Sequence, residues 1–147
     1  METDIIPPSC CKIKSKNISL IVKHIFKELY PDIGKNKVLE IIFVSENEIR
    51  DYNKQYRKIP RSTNVLTFMY SELDDYIPTL ASIVLCIDVI KRRAKAHKRG
   101  INDELKHTLI HGILHAAGFD HHKLSQRKKM RALEDKYMKE FQTVVLI

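Results

Sequence analysis

The sequence contains no apolar stretch long enough to cross a membrane. Its longest such run, Ala81 to Ile87, has Ser82 inside it, whereas a spanning helix needs about 20 residues. The opening residues Met1, Glu2, Thr3 and Asp4 supply neither the basic start nor the apolar segment of a signal peptide. Cysteine is scarce: Cys10 and Cys11 are neighbours and Cys86 is the third, so no disulfide framework is available. No internal repeat or low-complexity linker divides the 147 residues, a length typical of one domain. These absences predict a single cytoplasmic domain over residues 1–147 with no membrane partner.

Charge, by contrast, is abundant and uneven. Lys and Arg number 26 against 18 Asp and Glu, giving +8 with the histidines neutral. Such an excess attracts polyanions and speeds encounter with them, although a soluble cationic surface would look the same. The composition, 44% hydrophobic and 30% charged, is that of a globular chain.

Hydrophobic spacing predicts three or four short strands and about five helices. Residues 1–12 read as an irregular lead-in, and Lys12 to Ser15 as a short edge strand. Asn17 is placed to cap a helix whose apolar stripe is Ile18, Ile21, Val22, Ile25, Phe26 and Leu29, ended by Pro31 and Gly34. Val38 to Val44 is rich in β-branched residues and reads as a strand. Ser45, with Glu48 three positions on, has the pattern of a capping box opening a helix through Tyr56. Asn64 to Tyr70 reads as extended, Ser71 to Pro78 as an acidic turn, and Ile83 to Ile87 as the strongest strand core. A helix over Asp88 to Lys98 ends at Gly100, and Asn102 or Asp103 caps the next, which stops at Gly118. A last helix from about Ser125 puts Met130, Leu133, Tyr137 and Phe141 on one face. The fold class is α/β (α+β); this order permits a βαβ arrangement or a small mixed sheet.

Five of the seven histidines lie at 107, 111, 115, 121 and 122. His111 and His115 are four apart, so one helix presents both from one face, as a shared metal ion requires. Gly118 lets that helix stop, and Phe119 can anchor the turn that brings a third histidine back. His121 is the preferred third ligand and His122 its rival. Three imidazoles leave one tetrahedral position open, as in a catalytic zinc site at the end of a central helix. His107 sits one turn back and suits packing or a supporting hydrogen bond. Peptidases of the H-E-x-x-H type need a glutamate where this chain has Gly112. Asp120 is the nearest carboxylate, either as a base or as the group orienting His121. Neutral ligands leave the ion's double charge available to a phosphate oxygen. Arg57, Lys58 and Arg61, and then Arg92, Arg93, Lys95, Lys98 and Arg99, supply cations for the same task. Arg57 is the preferred phosphate clamp and Arg61 the alternative.

Residues 111–121, H-G-I-L-H-A-A-G-F-D-H, resemble the signature H-G-x-L-H-L-x-G-Y-D-H of the YbeY family of metal-dependent endoribonucleases. Asn53, Tyr56 and Arg57, followed by Ser62-Thr63-Asn64-Val65-Leu66-Thr67-Phe68, resemble that family's N-x-x-Y-R and P-T-(D/N)-V-L-S-F segments. The resemblance implies a small sheet of about four strands packed with about five helices. It also implies one Zn2+ per chain, replaceable by other divalent transition metals, on His111, His115 and His121. Arg57 becomes the functional arginine, Asp120 a catalytic candidate, and Arg61 and Asn64 substrate contacts. The implied substrate is single-stranded RNA, with a role in small-subunit rRNA 3′-end maturation and ribosome quality control, and the ribosomal small subunit as partner. Another zinc hydrolase, or a non-catalytic ribosome assembly factor with a structural metal, are the alternatives. The chain departs from the pattern at Leu80-Ala81-Ser82, where the family has Leu-Gly-Asp. It departs also at Ser62 and Met69, where proline is common, and at Ala116 and Ala117, where larger residues are usual.

Overall fold

The computed structural model describes residues 1–33, 36–70, 78–120 and 122–147. Along the chain come β1 (Glu2–Ile6), α1 (Ser15–Leu29), β2 (Val38–Phe43), α2 (Glu46–Arg57), β3 (Val65–Met69), β4 (Thr79–Leu85), α3 (Ile87–Ala96), α4 (Ile101–Ala116) and α5 (Leu124–Glu140). The sheet is mixed, in the order β1-β2-β4-β3. β1, β2 and β4 are parallel, and β3 runs antiparallel along β4. Among the described residues this is the small α/β arrangement of four strands and five helices that the sequence resemblance implies.

Alternation along the strands decides which side each helix covers. Leu39, Ile41 and Phe43 of β2 and Ala81, Ile83 and Leu85 of β4 join the larger core with α1, α4 and α5. On the other side, Ile49 of α2 packs with Leu66, Val84, Cys86 and Val89. The α1 stripe of Ile18, Ile21, Val22, Ile25 and Phe26 is buried as its spacing predicts. Met130, Tyr137 and Phe141 of the last helical face are buried too. The capping box forms: Ser45 Oγ accepts from the Glu48 N–H at 3.2 Å, and Glu48 Oε2 accepts from the Ser45 N–H at 2.7 Å. Among the described residues no helix is long and apolar enough to cross a membrane.

Several local expectations are overturned, mostly by chain partners remote in sequence. Glu2–Ile6 is the edge strand, with Ile5 beside Ile41, and is not part of an irregular lead-in. Lys12 to Ser15 forms no strand; the Lys14 N–H instead donates to Leu146 O at 2.8 Å. Asn17 does not cap α1, which opens after Lys14, because its amide is taken by Val145 O at 2.7 Å. Neither Asn102 nor Asp103 caps α4, whose N-cap is Gly100. Asn102 instead accepts the Leu146 N–H at 2.6 Å and donates to Val144 O at 3.3 Å. β4 starts at Thr79 and Ile87 already belongs to α3. Most of the acidic turn, residues 71–77, and Gly34 lie outside the described residues.

α4 lies close against the sheet at Gly112. A Cβ there would stand 2.7 Å from Ile83 Cγ2 and 3.3 Å from Val65 Cγ2, both on β-branched side chains with little freedom to move. Thr67 Oγ1 also donates to Gly112 O at 3.4 Å. Gly112→Ala should therefore destabilise the fold by about 1–2 kcal/mol, overpacking outweighing alanine's better helix propensity. Urea denaturation measures this, and an unchanged or raised stability would show that the helix has room to withdraw.

Candidate metal centre

His111 and His115 project from successive turns near the end of α4, and Gly118 at φ 91° closes the helix behind them. Their rings are 4.7 Å apart, and the two Nε2 atoms approach to 3.1 Å. Two imidazole nitrogens sharing a tetrahedral ion at 2.0–2.1 Å would stand about 3.3 Å apart. The pair therefore fits a zinc-sized ion.

The other nitrogen of His111 strengthens that fit. Its Nδ1 lies 2.6 Å from Glu134 Oε1, a carboxylate of α5 only 9% exposed. A carboxylate at Nδ1 holds the ring proton there and turns the Nε2 lone pair outward, the usual support of a metal-bound histidine. His107 Nε2 stands 3.7 Å from Glu134 Oε2. Burial pushes the His107 imidazole below its ordinary 6.5, with Glu134 pulling the other way. Sequence reasoning missed Glu134. Its signal was a carboxylate set within the apolar stripe of Met130, Leu133 and Tyr137, where an unpartnered charge would be costly.

His121 lies outside the described residues. Asp120 accepts the His122 N–H at 3.3 Å, and the His122 ring, 88% exposed, turns to solvent.

Beside His111 opens a cavity of about 440 Å³ whose walls include Asn64, Arg93, Arg99, Glu104, His107 and Thr108. Asn64 is fixed at both ends of its amide: Nδ2 donates to Thr108 Oγ1 at 3.3 Å, and Oδ1 accepts from Arg93 at 2.9 Å. Glu104, 2% exposed, lies 3.3 Å from His97 Nδ1 and 3.5 Å from Arg99 Nη1. Asn64 thus lines the same cavity as His107 and His111. Arg57 and Arg61 are not among the described lining residues. Arg57 is exposed on the last turn of α2. Arg92 is engaged elsewhere, gripping Glu46 through two bonds of 2.8 and 2.7 Å while Ser62 donates to the same carboxylate. Those bonds, Arg92 first, hold the Glu46 carboxyl down at about 2.

A sequence profile of the family described as Endoribonuclease YbeY matches residues 8–142. This chain belongs to the YbeY family. The Endoribonuclease YbeY of Cupriavidus metallidurans is 40% identical over 114 residues, 78% of this chain and 55% of that protein. This chain thus spans about half the length of that relative. The Endoribonuclease YbeY of Acholeplasma laidlawii is 32% identical over 127 residues, 86% of this chain and 88% of the relative. A Thermotoga maritima protein solved in solution, TM1509, superposes with a TM-score of 0.61 at 27% identity, covering 96% of this chain and 92% of its own.

At Ser82, where the sequence departs from the pattern it resembles, a carboxylate lies on the neighbouring strand. Ser82 pairs with Glu40 in register and donates its hydroxyl to Glu40 Oε2. A second group able to take a divalent ion is His24, Glu28 and Glu140 on the α1–α5 surface, with ligand atoms within 4.8 Å of one another. All three are exposed, and Lys136 and Tyr137 already donate to Glu28. The α4 pair has the buried supporting carboxylate that this group lacks. Glu134→Gln should lower zinc affinity about 10–100-fold while leaving the fold intact. Competition against a chromogenic chelator measures the change, and unaltered affinity would reduce Glu134 to a packing role.

Proposed function

We infer that this protein is a zinc-dependent endoribonuclease that hydrolyses phosphodiesters of single-stranded RNA. Its substrate class is ribosomal RNA, and its setting is small-subunit rRNA 3′-end maturation and ribosome quality control. One observation carries the reading: two α4 imidazole nitrogens converge at 3.1 Å beside a cavity carrying Arg93 and Arg99. Membership of a family named for endoribonuclease activity supports the choice of substrate.

In this reading His111, His115 and His121 hold one ion per chain, and their imidazole donors also suit nickel or copper. Bound there, a divalent ion supplies Lewis acidity to a phosphoryl oxygen and to the attacking water. The chain's own groups do the rest. Glu134 keeps the His111 proton on Nδ1, so Nε2 stays a donor of electrons. Arg93, oriented by Asn64, and Arg99, anchored on Glu104, present guanidinium groups to the phosphate oxygens. Asp120 is assigned the proton lost by the water. Arg57 neutralises charge as it develops on the phosphoryl group, and Arg61 with Asn64 seats the RNA.

Purified wild type and His115→Ala, compared on single-stranded, duplex and ribosomal RNA, test the assignment. The variant should lose its zinc and at least about 100-fold in cleavage rate. Equal rates would remove the histidines from the mechanism, and RNA binding without metal-dependent cutting would favour a ribosome assembly factor.

Arg57 separates from metal holding, because its fork acts on the substrate. Arg57→Ala should keep its zinc and thermal midpoint while single-turnover cleavage falls about 100-fold, and Arg57→Lys should recover only part. Near-wild-type cleavage at saturating RNA would defeat the catalytic assignment; a defect confined to subsaturating RNA would make Arg57 a binding residue.

A further inference from the structure

Among the described residues, the second face of the sheet is covered over only part of its area. Where Ile49 of α2 packs, Leu66 and Val84 are buried. Beyond them a groove of about 470 Å³ opens, bordered by Glu40 and Ser82 and by the rings of Tyr52, Tyr56, Phe68 and Tyr70. Tyr56 and Phe68 meet at 4.8 Å and 64°, and Tyr52 stacks on Tyr56 at 6.4 Å and 27°. Tyr56 is nevertheless 59% exposed, and Tyr52 and Tyr70 about 40%. Several large rings left in water around one groove mark a surface that something else covers.

Ring chemistry and position select the occupant. Flat rings gathered in one groove, on a chain of net charge +8, suit a polyanion whose repeating units bear stackable bases. The groove also adjoins the histidine pair. Along the edge strand β3, Thr67 bonds Gly112, next to His111, while Phe68 faces the tyrosines.

Between the rings runs a directed hydrogen-bond chain. Ser82 donates to Glu40, so Tyr70 Oη donates to Ser82 Oγ, at 3.0 Å. The chain ends on a carboxylate, which repels phosphate but accepts hydrogens from a base amino group. We propose that this groove is a nucleobase subsite for single-stranded RNA, in which a base stacks on Tyr56 and Phe68 and donates its exocyclic amino group to Glu40. The proposal rests on the RNA reading above. It selects adenine, cytosine or guanine over uracil, which has no amino group.

Fluorescence anisotropy of the zinc-loaded protein with nuclease-resistant phosphorothioate RNA decamers, oligoadenylate and oligouridylate, tests it without relying on cleavage. Wild type should bind oligoadenylate at least about fivefold more tightly. Tyr56→Leu should weaken that binding about tenfold, with zinc content and thermal midpoint unchanged. Glu40→Gln should bring the two oligomers within about twofold of each other. Unchanged oligoadenylate binding by Tyr56→Leu overturns the subsite, even if wild type cuts RNA as proposed. So does a change in the sedimentation of RNA-free Tyr56→Leu, which would give the face to a second copy of the chain. A wild type that cuts no RNA, but whose oligoadenylate binding weakens in Tyr56→Leu, sinks the proposed activity and keeps the subsite.

Discussion

The placement of the histidine pair depends on how closely α4 approaches the sheet. Gly112, between the two histidines, faces Ile83 and Val65 with no room for a Cβ. His111 and His115, on the flank of the helix beside that contact, stay half-exposed while their neighbours on the helix are buried. The same contact excludes one chemistry outright. In the H-E-x-x-H arrangement, the position after the first histidine carries the general base. Here that position points into packed aliphatic side chains, where a carboxylate would be stranded. Any proton acceptor has to come from outside the helix.

What was legible in the sequence was what local spacing encodes. The four-residue interval of His111 and His115 placed both on one helical face, and Ser45 with Glu48 specified its own cap. The apolar stripes of α1 and α5 required no knowledge of their partners. The failures share a cause: Asn17 and Asn102 both have cap-forming side chains, but residues 144–146 claim them from across the molecule. β1 was hidden because five residues with half-buried alternation make a weak pattern until β2 is beside them. Glu134 was hidden because its worth lies in His111, 23 positions earlier. Tertiary pairing decides such cases, and local preference only proposes.

The positive charge is also divided by structure in a way that composition conceals. Arg92 is committed to Glu46 and, with Ser62, ties the approach to β3 onto α3. Arg93 and Arg99 stand around the cavity beside His111, each oriented by a polar neighbour. Arg57 projects from the end of α2 into solvent. Neighbouring arginines in one sequence run thus serve different ends: a brace, and a surface for anions.

The stretch after α5 has a bearing on when the protein can become itself. Leu146 takes the N–H of Lys14 at the start of α1 and gives its own N–H to Asn102 near the start of α4, while Gln142 O receives the ammonium of buried Lys106. Two helices made before α5 therefore have their openings completed by residues translated after it. On a ribosome, α1 and the sheet can gather as they emerge, but α4 cannot be locked at its beginning until residue 146 has cleared the exit tunnel. Long sequence separation of this kind slows closure. Until then the opening of the nascent histidine helix is unsecured.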